Sequence, residues 1–289
     1  LLLEVLFIIE KNKKMKSFRQ YLHYYKNNLR IALPIVLTQL GGAFVSLADN
    51  IMVGHVGTTE LAAVSFSSSI YFLGHVLAIG AVMGVTPLVG QVFVQNDNRN
   101  IQSYFYNGIL FTAVVAVVLV GLLLLAYPFL DRMGQEKEVV EVCRPYFLIT
   151  TLSLIPFLLF CHLKQFMEGL GNTKVAMVIT IIANSTNVLL NYLFIFGKWG
   201  FPEWGIVGAG VATLISRLMM PLMFFSYIRC KQQWWHYVNR FSINLLTKDK
   251  FAQLAKIGIP IGGHMLLECS VWCLSAIMVG WLGAVPLAA

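Results

Sequence analysis

Residues 31–63 read IALPIVLTQLGGAFVSLADNIMVGHVGTTELAA, and residues 257–289 read IGIPIGGHMLLECSVWCLSAIMVGWLGAVPLAA. Laid over one another at a shift of 226 positions, without a gap, the two stretches share 13 of 33 residues. Two apolar segments of that length would share about three or four by composition alone. The identities include Pro34 with Pro260, Ile51 to Gly54 with Ile277 to Gly280, and Leu61 to Ala63 with Leu287 to Ala289. A long-period repeat decides architecture before any local element is assigned. The second copy has barely begun at residue 289, so the expectation is a C-terminally truncated chain. The complete form would run to about 455 residues on this repeat length.

Hydrophobic residues make up 58% of the 289 and charged residues only 12%, with a mean hydropathy of +0.73. Soluble domains are about 25% charged, so this is the composition of a membrane protein. Seven runs reach the roughly 20 apolar residues that a spanning helix needs: 29–54, 61–94, 101–129, 144–168, 175–197, 206–229 and 251–283. The second contains Pro87 among Gly80, Gly84 and Gly90 and reads as one kinked span. No ten-residue alternation of the kind a barrel requires is present. The fold class expected is all-α integral membrane. A six-helix N-terminal lobe is followed by the first helix of a parallel-repeated C-terminal lobe, in a parent of twelve helices.

The net charge of +8 comes from basic residues gathered between the apolar runs, not from a nucleic-acid-binding face. Placing the N-terminus inside puts sixteen basic residues on the inner side and four on the outer, which is the positive-inside pattern. Spans one and seven then run in the same direction, as in transporters built from two similar lobes. Residues 1–24 form a cytoplasmic N-terminal segment. Met15 is its natural start, and 1–14 is read as upstream sequence or a tag remnant. Residues 25–230 are the N-lobe, 231–250 a cytoplasmic inter-lobe linker, and 251–289 the start of the C-lobe. Five cysteines without a CxxC point to no disulfide or metal site.

Ionisable groups inside a bilayer cost about 2.5–3.5 kcal/mol on insertion scales, so each is a functional candidate. Asp49 ends a stripe Gln39, Gly42, Ser46, Asp49, whose 3, 4, 3 spacing lies on one helical face; the alternative is an acid solvated at the outer end of its span. Thr180, Asn184, Asn187 and Asn191 are likewise spaced 4, 3, 4. Their amides can cross-link helices or ligate a cation. Glu268 follows His264 by one turn and precedes Ser275 by two. Through the repeat Glu268 overlays Gly42, while Asp49 overlays Ser275, so the two acids differ in depth by about 10 Å. Packing alone could also account for Glu268 and His264. The role of Arg217, mid-span in the sixth run, is open. There is no GxSxG, HExxH or GK[ST] motif, hence no enzyme chemistry, no cofactor, and an ion gradient as the expected energy source.

The segments ALPIVLTQLGGAFVSLADNIMVGHVGTTELAAVS, LKQFMEGLGNTKVAMVI, NVLLNYLFIFGKWGFPEWGIVGAGVAT and IGIPIGGHMLLECSVWCLSAIMVG carry a resemblance. Together they resemble the multidrug and toxic compound extrusion (MATE) family, in its NorM-like bacterial branch, over about residues 25–289. The resemblance implies a secondary active antiporter of the cell inner membrane, monomeric, exporting cationic or amphipathic organic compounds against Na⁺ or H⁺. By position, Asp49 matches the family's first-helix coupling acid, Asn187 and Asn191 its fifth-helix amides, and Thr213 its sixth-helix threonine. Glu268 matches a seventh-helix acid of a C-lobe cation site, a Na⁺ site left incomplete here because the later helices are missing. Pro34 matches a proline associated with helix bending. Gln39, Ser46, Asn184 and His264 are the expected substrate-cavity residues. Two rival readings are a lipid-linked oligosaccharide flippase of the wider superfamily, whose cavity would be more basic, and a non-transporting membrane receptor or assembly subunit.

Overall fold

Proline cannot donate to the carbonyl four residues before it, and two prolines in this chain break helices at that point. Pro87 faces the carbonyl of Met83, where α2 (Thr58–Met83) stops and α3 (Val85–Val94) resumes after Gly84. Pro156 faces Leu152, where α5 (Lys137–Leu152) stops and α6 (Leu154–Gly169) resumes after Ser153. The first break is the expected kink of span two; the second was not foreseen. Pro34, Pro145, Pro221 and Pro260 sit inside helices that continue through them. A small residue at the junction is thus part of the cause.

The computed structural model describes the backbone of residues 2–239 and 241–280, and the side chains of 25–26, 28–29, 32–239 and 241–271. The remaining helices are α1 (Leu2–Gly54), α4 (Asn98–Ala126), α7 (Lys174–Ile195), α8 (Gly205–Cys230), α9 (Gln232–Trp235) and α10 (Lys248–Gly280). No strand occurs among the described residues. Six stretches are long and apolar enough to cross a membrane: Ala32–Gly54, Thr58–Val94, Asn98–Arg132, Lys137–Gly169, Lys174–Ile195 and Gly205–Cys230. They coincide with the first six expected runs. The seventh is the helix α10, whose last side chains, Cys273 and Ser275 among them, lie outside the described residues. α1 starts at Leu2, so no break in the helix marks residue 24.

Local chemistry explains the ends of these helices. The Asp97 carboxylate accepts from the Asn100 backbone N–H at 3.0 Å and caps α4, as a side-chain oxygen at this position does for an otherwise orphaned donor. α6 ends at EGLGN: Gly171 takes φ +80, its N–H donates to Glu168 at 2.9 Å, and Asn172 donates to Met167 at 2.8 Å. That reciprocal pair is the Schellman arrangement, which a Cβ-free residue adopts without steric cost.

α2 lies centrally, touching α4, α5, α6 and α10, while α1 packs on α7 and α7 on α8. Phe147, Phe166 and Phe224 are fully buried among these helices. Glycine pairs spaced by four bring α10 against α2. A Cβ on Gly80 would lie 2.5 Å from the Gly262 Cα, and one on Gly84 would lie 2.9 Å from the Gly258 nitrogen. Small residues four apart allow such backbone contact between membrane helices.

The segment between α9 and α10 is bound to α4. Asn107, 1% exposed, donates to the Leu245 carbonyl at 2.7 Å and accepts from the Thr247 N–H at 3.1 Å. Ser103 donates to the same Leu245 carbonyl at 2.5 Å. Tyr106 donates to the Val238 carbonyl and Gln102 to that of His236.

Candidate functional site

A cavity of about 960 Å³ lies among the helices, walled by residues of α1, α2, α3, α5, α6, α7, α8 and α10. α1 contributes the face its spacing specifies, with Gln39, Gly42, Ser46 and Asp49 all on the wall. Thr38 also lines it and satisfies its hydroxyl by donating to the Pro34 carbonyl at 2.8 Å. From α7 come Thr180, Asn184 and Asn187, and from α8 Thr213, Ser216 and Arg217.

Asp49 is tethered across three helices. The Asn191 side-chain amide donates to the Asp49 Oδ1 at 2.5 Å and is itself fully buried. The same Nδ2 lies 3.3 Å from the Asn187 Oδ1, and the Asn187 amide donates to the Thr213 hydroxyl at 3.5 Å. The bonds lengthen away from the carboxylate, so the Asn191–Asp49 contact is the strong one and Asn187–Thr213 sits at the limit of a hydrogen bond. A buried acid without such a donor would carry its full desolvation cost. Asn191 orients Asp49 from behind, since it does not itself line the cavity.

Arg217 occupies the wall as well. Its Nη1 donates to the Tyr71 hydroxyl at 2.6 Å and to the Ser153 hydroxyl at 2.7 Å. The guanidinium carbon lies 5.3 Å from the Tyr71 ring centre and 5.0 Å from that of Phe157, within the range of cation–π attraction. Ser153 is the residue at the break of the fourth span, so that break positions a ligand for the arginine. Arg217 and Asp49 line the same cavity, yet the two form no ion pair within 4.0 Å.

Two placements differ from the sequence reading. Lys164, counted there with the inner-side charges, lines the cavity and faces Glu168 at 3.9 Å; Arg217 is therefore not the only cation of the interior. His264, expected on the cavity wall, is exposed and does not line it, and Glu268 is exposed beside it. Gly258 and Gly262 turn one face of α10 onto α2, and Ile261 and Met265 reach the cavity, whereas His264 and Glu268, three and seven residues beyond Ile261, do not line it. No group of three or more His, Cys, Asp or Glu side chains that could hold a metal ion occurs among the described residues.

The MatE family profile matches residues 34–193, a segment that holds Asp49, Asn187 and Asn191. The chain is 30% identical over 270 residues to a probable multidrug resistance protein NorM of Rhizobium meliloti, covering 92% of this chain and 57% of that one. A second probable NorM, from Bacillus licheniformis, is 31% identical over 266 residues, covering 90% of this chain and 58% of that one. The chain thus spans under two thirds of the length of these relatives. Among solved structures, a MOP superfamily transporter from Pyrococcus furiosus superposes with a TM-score of 0.76 at 20% identity, over 88% of this chain and 55% of that one; this likeness concerns the fold. The chain is a member of the MatE family, in its NorM-like branch.

Proposed function

We propose that this chain forms the cavity-bearing lobe of a secondary active multidrug efflux transporter, exporting cationic or amphipathic organic compounds by antiport with Na⁺ or H⁺. The observation that carries the reading is Asp49, an acid on the wall of the cavity, held by Asn191 and backed by Asn187 and Thr213. The NorM relatives support it by family. The protein would work as a monomer in the bacterial inner membrane with its N-terminus in the cytoplasm, without a cofactor or a nucleic-acid partner.

A ligand shifts a conformational equilibrium only through its different affinity for the two states. Asp49 supplies that difference: a proton or Na⁺ on its carboxylate removes the negative charge that an organic cation would seek. Ion and substrate therefore compete, and the exchange couples one gradient to the other. Pro34, one turn before Thr38 on the cavity side, is the point where α1 would bend between states. Glu268 would join a second cation site completed by residues of the C-lobe.

The test is Asp49→Asn in the complete gene, scored by ethidium efflux and drug resistance with membrane expression held equal. Loss of efflux is expected; wild-type efflux would refute the assignment of Asp49. The two cations on the wall, Arg217 and Lys164, favour a second reading, a flippase for an anionic lipid-linked sugar. Transport of such a lipid into vesicles, with no dye efflux, would select it.

A further inference from the structure

Arg217 has donors to spare. Both of its hydrogen bonds leave from Nη1, toward Tyr71 and Ser153, and its Nε and Nη2 make none to the described residues. No carboxylate of the described chain lies within 4.0 Å of it. An arginine carries five N–H donors in a planar fork suited to bidentate carboxylate recognition, so the open side of this fork remains available to whatever enters the cavity. The tether is rigid: Tyr71 is buried and its hydroxyl also meets the His75 Nδ1 at 3.0 Å, while His75 stacks on Phe157 with ring centres 4.8 Å apart. Asp49 stands on the same wall and is not paired with Arg217.

We infer that Arg217 is a specificity-determining residue that binds the carboxylate of an aromatic zwitterionic substrate, with the substrate's amine directed to Asp49. The inference rests on the efflux reading above and narrows it. A purely cationic compound uses Asp49 alone and meets a like charge at Arg217. A compound carrying both charges satisfies both residues, and its ring system lies along the aromatic surface of Tyr71, His75 and Phe157. The separation of anion and cation on the wall is then the recognition element, since an internal Asp49–Arg217 pair would leave neither charge to the ligand.

The experiment compares rhodamine B, whose carboxylate is free, with its ethyl ester, which has the same rings and amines without it. Binding is read by fluorescence anisotropy on protein from the complete gene, purified in detergent. Wild type should bind the acid at least about tenfold more tightly than the ester, the scale of a charge-assisted hydrogen bond. Arg217→Gln should erase that ratio by weakening the acid alone. Arg217→Lys, which keeps the charge and loses the fork, should retain a smaller preference and serves if the glutamine variant does not fold. A wild-type ratio near one, or equal weakening of both dyes in Arg217→Gln, overturns the role of Arg217 and leaves the efflux reading standing. Binding of neither dye by wild type overturns both.

Discussion

Gly262 passes so close to Gly80 that a methyl group on the latter would stand 2.5 Å from the Gly262 Cα. The two nearest atoms in the way are backbone, so no side-chain movement can relieve the clash. The same holds at Gly258, where a Cβ would meet the Ala81 carbonyl oxygen at 2.0 Å. The α2–α10 seam therefore has no room for a side chain at Gly80 or Gly258.

Gly258→Val should push α10 off α2. Overpacking of a filled interior costs about 1–3 kcal/mol, and the backbone contact here places the effect at the upper end. Thermal unfolding in detergent should shift down by several degrees. Gly263→Ala, at a position with open space around its Cβ, should leave the midpoint in place.

The hydrogen bonds that hold Asp49 predict a graded loss. Asn191→Leu removes the 2.5 Å donor to the carboxylate, a charge-assisted bond of about 1.5–3 kcal/mol, and should reduce dye efflux by tenfold or more. Thr213→Val removes a contact of 3.5 Å and should cost less than about threefold, below 1 kcal/mol by the same scale. Equal losses in the two variants would contradict a network centred on Asp49.

Asp97 lies between the second and third spans, and the Asn100 N–H holds its carboxyl below the ordinary carboxylate range. A group whose folded pKa is depressed stabilises the fold above its unfolded pKa, here near 3.8, and loses that contribution as pH falls through the folded value. Asp97→Asn keeps a cap that does not titrate. The stability advantage of wild type over this variant at about pH 7 should therefore shrink on acidification below about pH 4, measured by thermal unfolding at each pH. A constant gap would contradict the capping role of the charge.

Asn107→Ala should free the linker. It strands the Thr247 N–H and leaves the Leu245 carbonyl to Ser103 alone, at about 1–3 kcal/mol for the unsatisfied group. Limited proteolysis should show faster cleavage within residues 231–247 while cleavage elsewhere stays as in wild type.

Periodicity told which side of a helix mattered and was silent on what faced it. Gln39, Gly42, Ser46 and Asp49 were legible because an exact helical spacing of polar residues in an apolar run has few other meanings, and all four line the cavity. Glu268 shows the opposite case. Its stripe with His264 is just as regular, yet neither residue lines the cavity, and the seat of α10 is set by glycine contacts whose partners, Gly80 and Gly84, lie far away in the chain. Tyr71, Phe157 and Ser153 were invisible for the same reason, being ordinary apolar-run residues until Arg217 reaches them. Lys164 did leave a trace: it precedes Glu168 by four residues inside an apolar run, the spacing at which helical side chains meet. The kink at Gly84 was readable from three glycines around Pro87, whereas Ser153 before Pro156 has no glycine to announce it.

The anchoring of Leu245 and Thr247 on Asn107 bears on how α10 finds α2. A helix joined through a slack tether samples a volume set by tether length, and its local concentration falls steeply as the tether grows. Here the tether is pinned shortly before α10 begins, so its contour length hardly enters. The encounter of Gly258 and Gly262 with Gly84 and Gly80 is governed instead by the few residues between Thr247 and the seam. Insertions upstream of Leu245 would leave that local concentration unchanged, and the covalent path between the two helices is, in effect, much shorter than the sequence that connects them.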